Sequence, residues 1–189
     1  MLAVESPTEL PIAAARRGDP SAWQTLCQRY RLPLYVYVRE LLGAEDEAMD
    51  VVQESFLNAV RHLGTLRDDS RFGSWLFRIA HQKCIQRWRD SRKQACLFAD
   101  SLDDSADEVA DSSELPSECL IREERAAEFM ALLARLKPAQ RSVLLLHFVE
   151  EFSLQEIADI TEVPLGTVKS RLHYAKRTFR GLVEQDGTL

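Results

Sequence analysis

The chain has 189 residues, 46% hydrophobic and 29% charged, with only 7 glycines and 7 prolines. This balance excludes a disordered chain and a turn-rich sheet protein, and no apolar run approaches the roughly 20 residues that cross a bilayer. The net charge of −6 argues against a nucleic-acid partner until it is mapped. Residues 94–124 hold ten acids against one base, Arg122, and the rest of the chain carries 23 bases and 20 acids.

The opening stretch, MLAVESPTELPIAAARRGDP, puts acids and Pro11 where a signal peptide needs a basic start and an apolar core, which points to the cytoplasm. Asp19-Pro20 then reads as a helix start, with Asp as N-cap and Pro in the first turn, and Gly43 as the stop. From Glu45 to His62, Ala48, Val51, Val52, Phe56, Ala59, Val60 and Leu63 recur at helical spacing. The polar turn 64–70 precedes a fourth helix, predicted from about Phe72 to Ser91. Residues 94–118, rich in Asp, Ser and Glu with no sustained apolar period, read as a flexible, self-repelling linker. Beyond it, helices are expected from about Leu120 to Leu136 and on to about Val149. Ser153 and Glu156 form a capping-box pattern before LQEIADI, and a final helix opens at Pro164. No segment reads as a strand.

Cys27, Cys84, Cys96 and Cys119 form no close pair. The nearest approach to a ligand pair is His81 with Cys84, so no metal site, disulfide framework or cofactor is expected. Glu54 with His62, or His81 with Cys84, are conceivable catalytic pairs, but no glycine-rich loop or nucleophile elbow accompanies them, and no enzyme or small-molecule substrate is expected.

The segment FSLQEIADITEVPLGTVKSRLHYAKRTF (152–179) has the form of a helix-turn-helix. Val168, Leu172, Ala175 and Phe179 make one buried stripe in its second helix. The opposite face carries Thr167, Lys169, Ser170, Arg171, His173, Tyr174, Lys176, Arg177 and Arg180, and residues 165–180 contain five bases and no acid. Such a face suits a major groove, with base contacts near its N-terminus and phosphate contacts around it. A solvated amphipathic helix is the plain alternative. Repressors, response-regulator output domains and initiation factors all use the motif.

A second basic helix, residues 70–93, holds seven bases and one acid, Asp90, interleaved with Phe72, Trp75, Phe77 and Trp88. Bases attract phosphates and aromatic faces stack on unpaired bases, although the spacing of Phe72 and Trp75 matches the buried stripe and favours core positions over stacking platforms. The preceding loop, LRDDS, has the composition to close around an extruded base. On the helix before it, Asp50, Gln53, Glu54 and Asn58 share one face, which on pattern alone is ordinary solvated surface.

Three segments, in this order, resemble the extracytoplasmic-function (ECF) sigma factors of bacterial RNA polymerase, within the sigma-70 family. DVVQESFLNAVRHL (50–63) is similar to the family's region-2 helix, FGSWLFRIAHQKCIQRWRD (72–90) to its promoter-melting helix, and LQEIADITEVPLGTVKSRLHYAKRTF (154–179) to region 4. The resemblance implies an all-α chain of two helical domains, 1–93 and 125–189, joined by a flexible acidic linker, 94–124. It implies a promoter-specificity subunit working with core RNA polymerase on promoter DNA, with an anti-sigma factor as a further partner. Asp50, Gln53, Glu54 and Asn58 would face the clamp helices of the polymerase's largest subunit. Leu66, Arg67, Asp68, Asp69 and Ser70 would capture a flipped base of the minus-ten element. Arg71, Trp75, Arg78, His81, Gln82 and Ile85 would follow that strand. Thr167, Lys169, Ser170, Arg171, His173, Tyr174 and Arg177 would occupy the minus-35 groove. A stand-alone helix-turn-helix regulator with a helical sensor domain is the competing reading; it would bind duplex DNA without polymerase.

Overall fold

The structure, a computed structural model, describes residues 10–98 and 128–186, with side chains described for 10–90 and 128–185. Residues 99–127, most of the acidic stretch, lie outside the described residues, as do the side chains of Arg92 and Lys93. Every regular element among the described residues is helical, and none is long and apolar enough to cross a membrane.

Helix α1 (Ile12–Arg16) buries Ile12 and Ala15. Its carbonyl at Ala15 accepts from the indole Nε1 of Trp23 at 3.0 Å, which fastens it to α2 (Pro20–Leu42). Helix α2 starts and stops as its sequence predicts. The Asp19 carboxylate accepts from the Ser21 amide at 2.9 Å, and Gly43 closes the other end at φ +79°, where a side chain would be strained. Helix α3 (Glu45–His62) has no side-chain cap, but Glu45, Asp46 and Glu47 lie in its first turn and Arg61 and His62 in its last. Both sets oppose the helix dipole favourably. Two short 3₁₀ turns, Leu63–Thr65 and Asp69–Arg71, lead into α4 (Phe72–Phe98), which runs past the boundary expected at residue 93. Gly73 lets α4 approach α2. A Cβ there would stand 3.1 Å from the Tyr30 hydroxyl oxygen.

In the second block, α5 (128–134) packs Phe129 edge-on against Phe179 at 5.3 Å. Helix α6 (Pro138–Leu144) loosens into a π-helical turn at Leu145–Val149. Then come α7 (Leu154–Thr161) and α8 (Leu165–Asp186). The predicted capping box is present in full: the Ser153 hydroxyl accepts from the Glu156 amide at 3.3 Å, and the Glu156 carboxylate accepts from the Ser153 amide at 2.9 Å.

The two blocks are packed together over a continuous apolar core. Helix α7 lies on α4, and α6 meets α2. Phe77 of α4 stands edge-on to Phe152 at 5.1 Å. Tyr37 of α2, fully buried, hydrogen-bonds through its hydroxyl both to Nδ1 of His81 on α4 and to the Ser142 hydroxyl on α6, each at 2.8 Å. The Arg141 guanidinium donates to the carbonyls of Glu40 in the first block and of Ala134 and Leu136 in its own.

Candidate nucleic-acid and docking surfaces

Helix α8 is held by the stripe its sequence predicts. Val168, Leu172 and Ala175 are buried and Phe179 is half-buried. It turns off α7 through Glu162, a left-handed residue at φ +53° whose amide donates to the Ala158 carbonyl. Anchoring that stripe fixes the rotation of α8 and turns Lys169, Ser170, His173, Tyr174, Lys176 and Arg177 to solvent. Thr167 and Arg171 are half-buried. The Ser170 hydroxyl donates back to the Thr167 carbonyl at 3.0 Å, so its own backbone holds it. His173 and Tyr174 stand edge to face at 5.6 Å, and Lys176 Nζ sits 4.9 Å over the Phe148 ring. No acid interrupts this face. It is an exposed, rigidly mounted basic surface of the size of a groove-reading helix.

The loop before α4 is ordered by local chemistry. Asp68 caps the second 3₁₀ turn, its carboxylate accepting from the Ser70 amide at 3.0 Å and the Ser70 hydroxyl at 2.6 Å, and these bonds hold its carboxyl below the usual range. Arg16 of α1 reaches across to Asp69 at 2.6 Å and to the Leu66 carbonyl at 3.1 Å. Leu66, Arg67 and Asp68 form one wall of a cavity of about 590 Å³, together with Arg71, Ser74, half-buried Trp75 and Arg78. The structure therefore brings the loop and Trp75 together as the sequence suggested, with Phe72 in the core behind at 6.0 Å from the Trp75 ring.

The far wall of that cavity belongs to α7 and the turn that ends it: Ala158, Asp159 and Glu162. Arg71 pairs with Asp159 at 3.1 Å, and Arg78 pairs with Glu162 at 2.5 Å. His81, expected along a DNA strand, is instead 6% exposed and bonded to Tyr37. Burial, then the neighbouring Arg171 charge, lowers its pKa to about 4, so the ring is neutral. The burial follows from register: His81 follows Phe77 by one turn on the side of α4 that the second block covers. Gln82 and Ile85, half-buried, line a smaller cavity of about 300 Å³ whose opposite wall includes Thr161, Glu162 and Arg171. Partly exposed ion pairs contribute at most about 1 kcal/mol each. Burying a side chain such as Phe77 contributes roughly 1.5–3 kcal/mol. Apolar contact therefore holds the blocks together, and the ion pairs set which groups meet.

On α3, Asp50 and Gln53 are exposed and Asn58 is half-buried. Glu54 does not stand free. It bridges to Lys83 at 2.7 Å and Arg87 at 3.0 Å on α4, and the Lys83 bond leads in lowering its pKa. Sequence reasoning missed the apolar members of this surface. Met49, Leu57 and Val60 are 52%, 49% and 52% exposed. They share one helical row with Gln53, a spacing of four, four and three that was readable as a second stripe. Val60, predicted to be inside, belongs to this outer row because the core stripe passes through Val52, Ser55 and Ala59.

Residues 26–94 match the family described as Sigma-70 region 2, and residues 126–179 match Sigma-70, region 4. The chain is 30% identical to the RNA polymerase sigma-H factor of Pseudomonas aeruginosa over 180 residues, covering 93% of each. It is 29% identical to the ECF RNA polymerase sigma factor SigW of Bacillus subtilis over 174 residues, 89% of this chain and 92% of that one. Among solved structures, CnrH in complex with the cytosolic domain of CnrY matches with a TM-score of 0.65 at 23% identity, over 94% of this chain and 97% of that one. The sigma factor RpoE of Bartonella quintana, in complex with the anti-sigma factor NepR, also gives 0.65, at 21% identity, over 85% and 98%. These two structural likenesses establish the shared fold.

Proposed function

The chain belongs to the sigma-70 family as an ECF sigma factor of bacterial RNA polymerase, and on that premise we propose which of its residues do the work. A sigma factor binds core polymerase and directs it to promoters. The division of labour we propose follows the blocks: 1–93 docks on polymerase and handles the minus-ten element, 94–124 links, and 125–189 reads the minus-35 element.

The observation that carries the reading is the acid-free basic face of α8, mounted by a capped short helix and a tight turn, on the same chain as a loop cavity lined by Arg67, Arg71, Arg78 and Trp75. Lys169, Ser170, Arg171, His173, Tyr174 and Arg177, with Thr167 at the helix start, meet the minus-35 duplex. The loop 66–70 and Trp75 receive an unstacked base, and Arg71, Arg78, Gln82 and Ile85 follow its strand. The polymerase-docking face is wider than the polar set Asp50, Gln53 and Asn58. Met49, Leu57 and Val60 give it an apolar centre, the arrangement expected of a protein–protein contact with a polar rim. Glu54 serves that face from behind, by tying α3 to α4. An anti-sigma factor is proposed as a further partner, since the Bartonella relative is held by one and the chain shares its fold.

The test is run-off transcription from a promoter library with core polymerase and the full chain. Promoter-dependent transcripts are expected, and duplex binding by the chain alone as a dimer on a palindrome, without transcripts, would overturn the reading. Met49→Lys with Val60→Lys should abolish polymerase capture without changing duplex binding. Parallel loss of both would remove the docking assignment.

A further inference from the structure

Helix α1 is too short to be stable alone and is held from outside, which fixes where its last side chain begins. Ile12 and Ala15 are buried, and the Ala15 carbonyl accepts from the Trp23 indole and from the Gly18 amide, each at 3.0 Å. Gly18 then turns the chain at φ +86°. From this mount Arg16 reaches residues 50 and 53 positions along the chain. Its Nη2 donates to Asp69 Oδ1 at 2.6 Å and to the Leu66 carbonyl at 3.1 Å, and its Nη1 donates to Asp69 Oδ2 at 3.5 Å. One guanidinium thus grips the loop at Leu66 and at Asp69, with Arg67 and Asp68, two residues of the cavity wall, between them.

The bonds local to the loop close each 3₁₀ turn separately. The Leu66 amide donates to the Leu63 carbonyl at 3.1 Å in the first, and the Arg71 amide donates to the Asp68 carbonyl at 3.0 Å in the second, which the Asp68 carboxylate also caps. Leu66 and Asp68 themselves are extended, so these bonds leave the distance between the turns unset. Arg16 sets it, by bonding one residue on each side. Both partners of the ion pair are partly exposed, so it adds little to stability, and its effect lies in that spacing. Arginine suits this task where lysine does not. A planar fork reaches a carboxylate and a carbonyl at once, whereas an ammonium is a point charge on a flexible stem.

We propose that Arg16 is a positioning residue for base capture: from α1 it holds Leu66 and Asp69 at the separation in which the loop receives an unstacked base. It acts through these two residues and not on the DNA itself. The inference rests on the proposed minus-ten role of the loop. Selectivity of this kind depends on tight placement, and a wall displaced by about 1 Å loses much of what it recognises.

The experiment uses the full chain bound to core polymerase, with the non-template strand of the minus-ten element from a promoter recovered in the run-off library. Each base of that strand is replaced in turn by an abasic site, and holoenzyme affinity is read by fluorescence anisotropy. In the parent chain one position should stand out, losing about tenfold in affinity when its base is removed. Arg16→Ala should shrink that loss to roughly threefold or less, while the other positions, polymerase capture and minus-35 duplex binding stay within about twofold. Arg16→Lys should fall between parent and Arg16→Ala. Asp69→Ala should reproduce the Arg16→Ala pattern, and the double variant should be no worse than either single, because each removes the same bond. An Arg16→Ala chain that keeps the parent's selectivity overturns the inference. So does a loss spread evenly over all positions and the minus-35 duplex, which would make α1 a structural element alone. Additive losses in the double variant overturn it too, since Arg16 would then act apart from Asp69. If the parent itself shows no selective position, capture by the loop fails and the positioning role with it. That result appears in the parent, whereas failure of the Arg16 assignment appears only in the variants.

Discussion

Helix α8 and the first half of α4 are built alike, each with an apolar stripe and an opposite face rich in bases, yet they end up in different electrostatic settings. The bases of α8 mostly face solvent, with no acid among residues 165–180. Along α4 and the turn before it, acids meet several of the bases: Arg71 meets Asp159, Arg78 meets Glu162, and Lys83 and Arg87 share Glu54. Helical periodicity says which side of a helix turns from its own core. It does not say what another part of the chain lays over that side. A basic face is thus evidence of a nucleic-acid grip only together with knowledge of what already neutralises it.

The contrast predicts unequal responses to substitution. The largest is expected on α8. Lys169→Glu with Arg177→Glu should weaken holoenzyme binding to a minus-35-dependent promoter by about 100-fold or more, in filter-binding or footprinting assays at fixed salt. A loss under threefold would make that face mere solvated surface. Next comes the joint that holds α4 under the second block. Tyr37→Phe strands the His81 ring and the Ser142 hydroxyl inside the core, so urea unfolding should show a loss of about 1–3 kcal/mol. Ser142→Ala, which leaves the Tyr37–His81 bond in place, should cost less.

A smaller effect concerns pH. Glu150 lies on a cavity wall between the blocks, and burial raises its pKa from an ordinary value near 4.5 to about 7. Its folded form holds the proton more tightly than its unfolded form, so the packed state is favoured at low pH and loses that advantage as pH rises from 4.5 through 7. Glu150→Gln should therefore stabilise the chain by about 1 kcal/mol at pH 8, after allowance for partial exposure, with the gain vanishing toward pH 4.5. His81 works in the opposite sense. With its folded pKa lowered to about 4 against 6.5, it withdraws stability as pH falls from 6.5 toward 4. Thermal midpoints across this range should accordingly fall more steeply on the acid side in the Gln variant than in the parent. The smallest expected change is Arg16→Ala, at no more than about 1 kcal/mol because the pair with Asp69 is exposed. Faster amide exchange confined to residues 66–70 would reveal it.

Much of the fold was legible because its signals are local. Asp19-Pro20, Gly43, the Ser153–Glu156 box and the Val168–Phe179 stripe each act within a few residues, and each is where the pattern put it. Helix α1 carried no such signal. Five residues long, it is held mainly by Ile12 and Ala15 in the core and by Trp23 donating to it. The site was legible in part. The exposed half of α8 and the loop beside Trp75 follow from sequence, whereas the burial of His81 depends on Tyr37 and Ser142, far away in the chain. Val60 stands outside the core for a simpler reason. Two apolar rows run along α3, and a count of apolar spacing merged them.

The anchoring of the loop at 66–70 bears on how a base would be received. Arg16 ties it from outside, Asp68 folds it over Ser70, and Trp75 backs it from α4. Little conformational entropy remains in it to be lost. Receiving an unstacked base should then require ordering of the nucleotide alone, so that the loop acts as a ready-made mould whose contribution to strand capture is set before any DNA arrives.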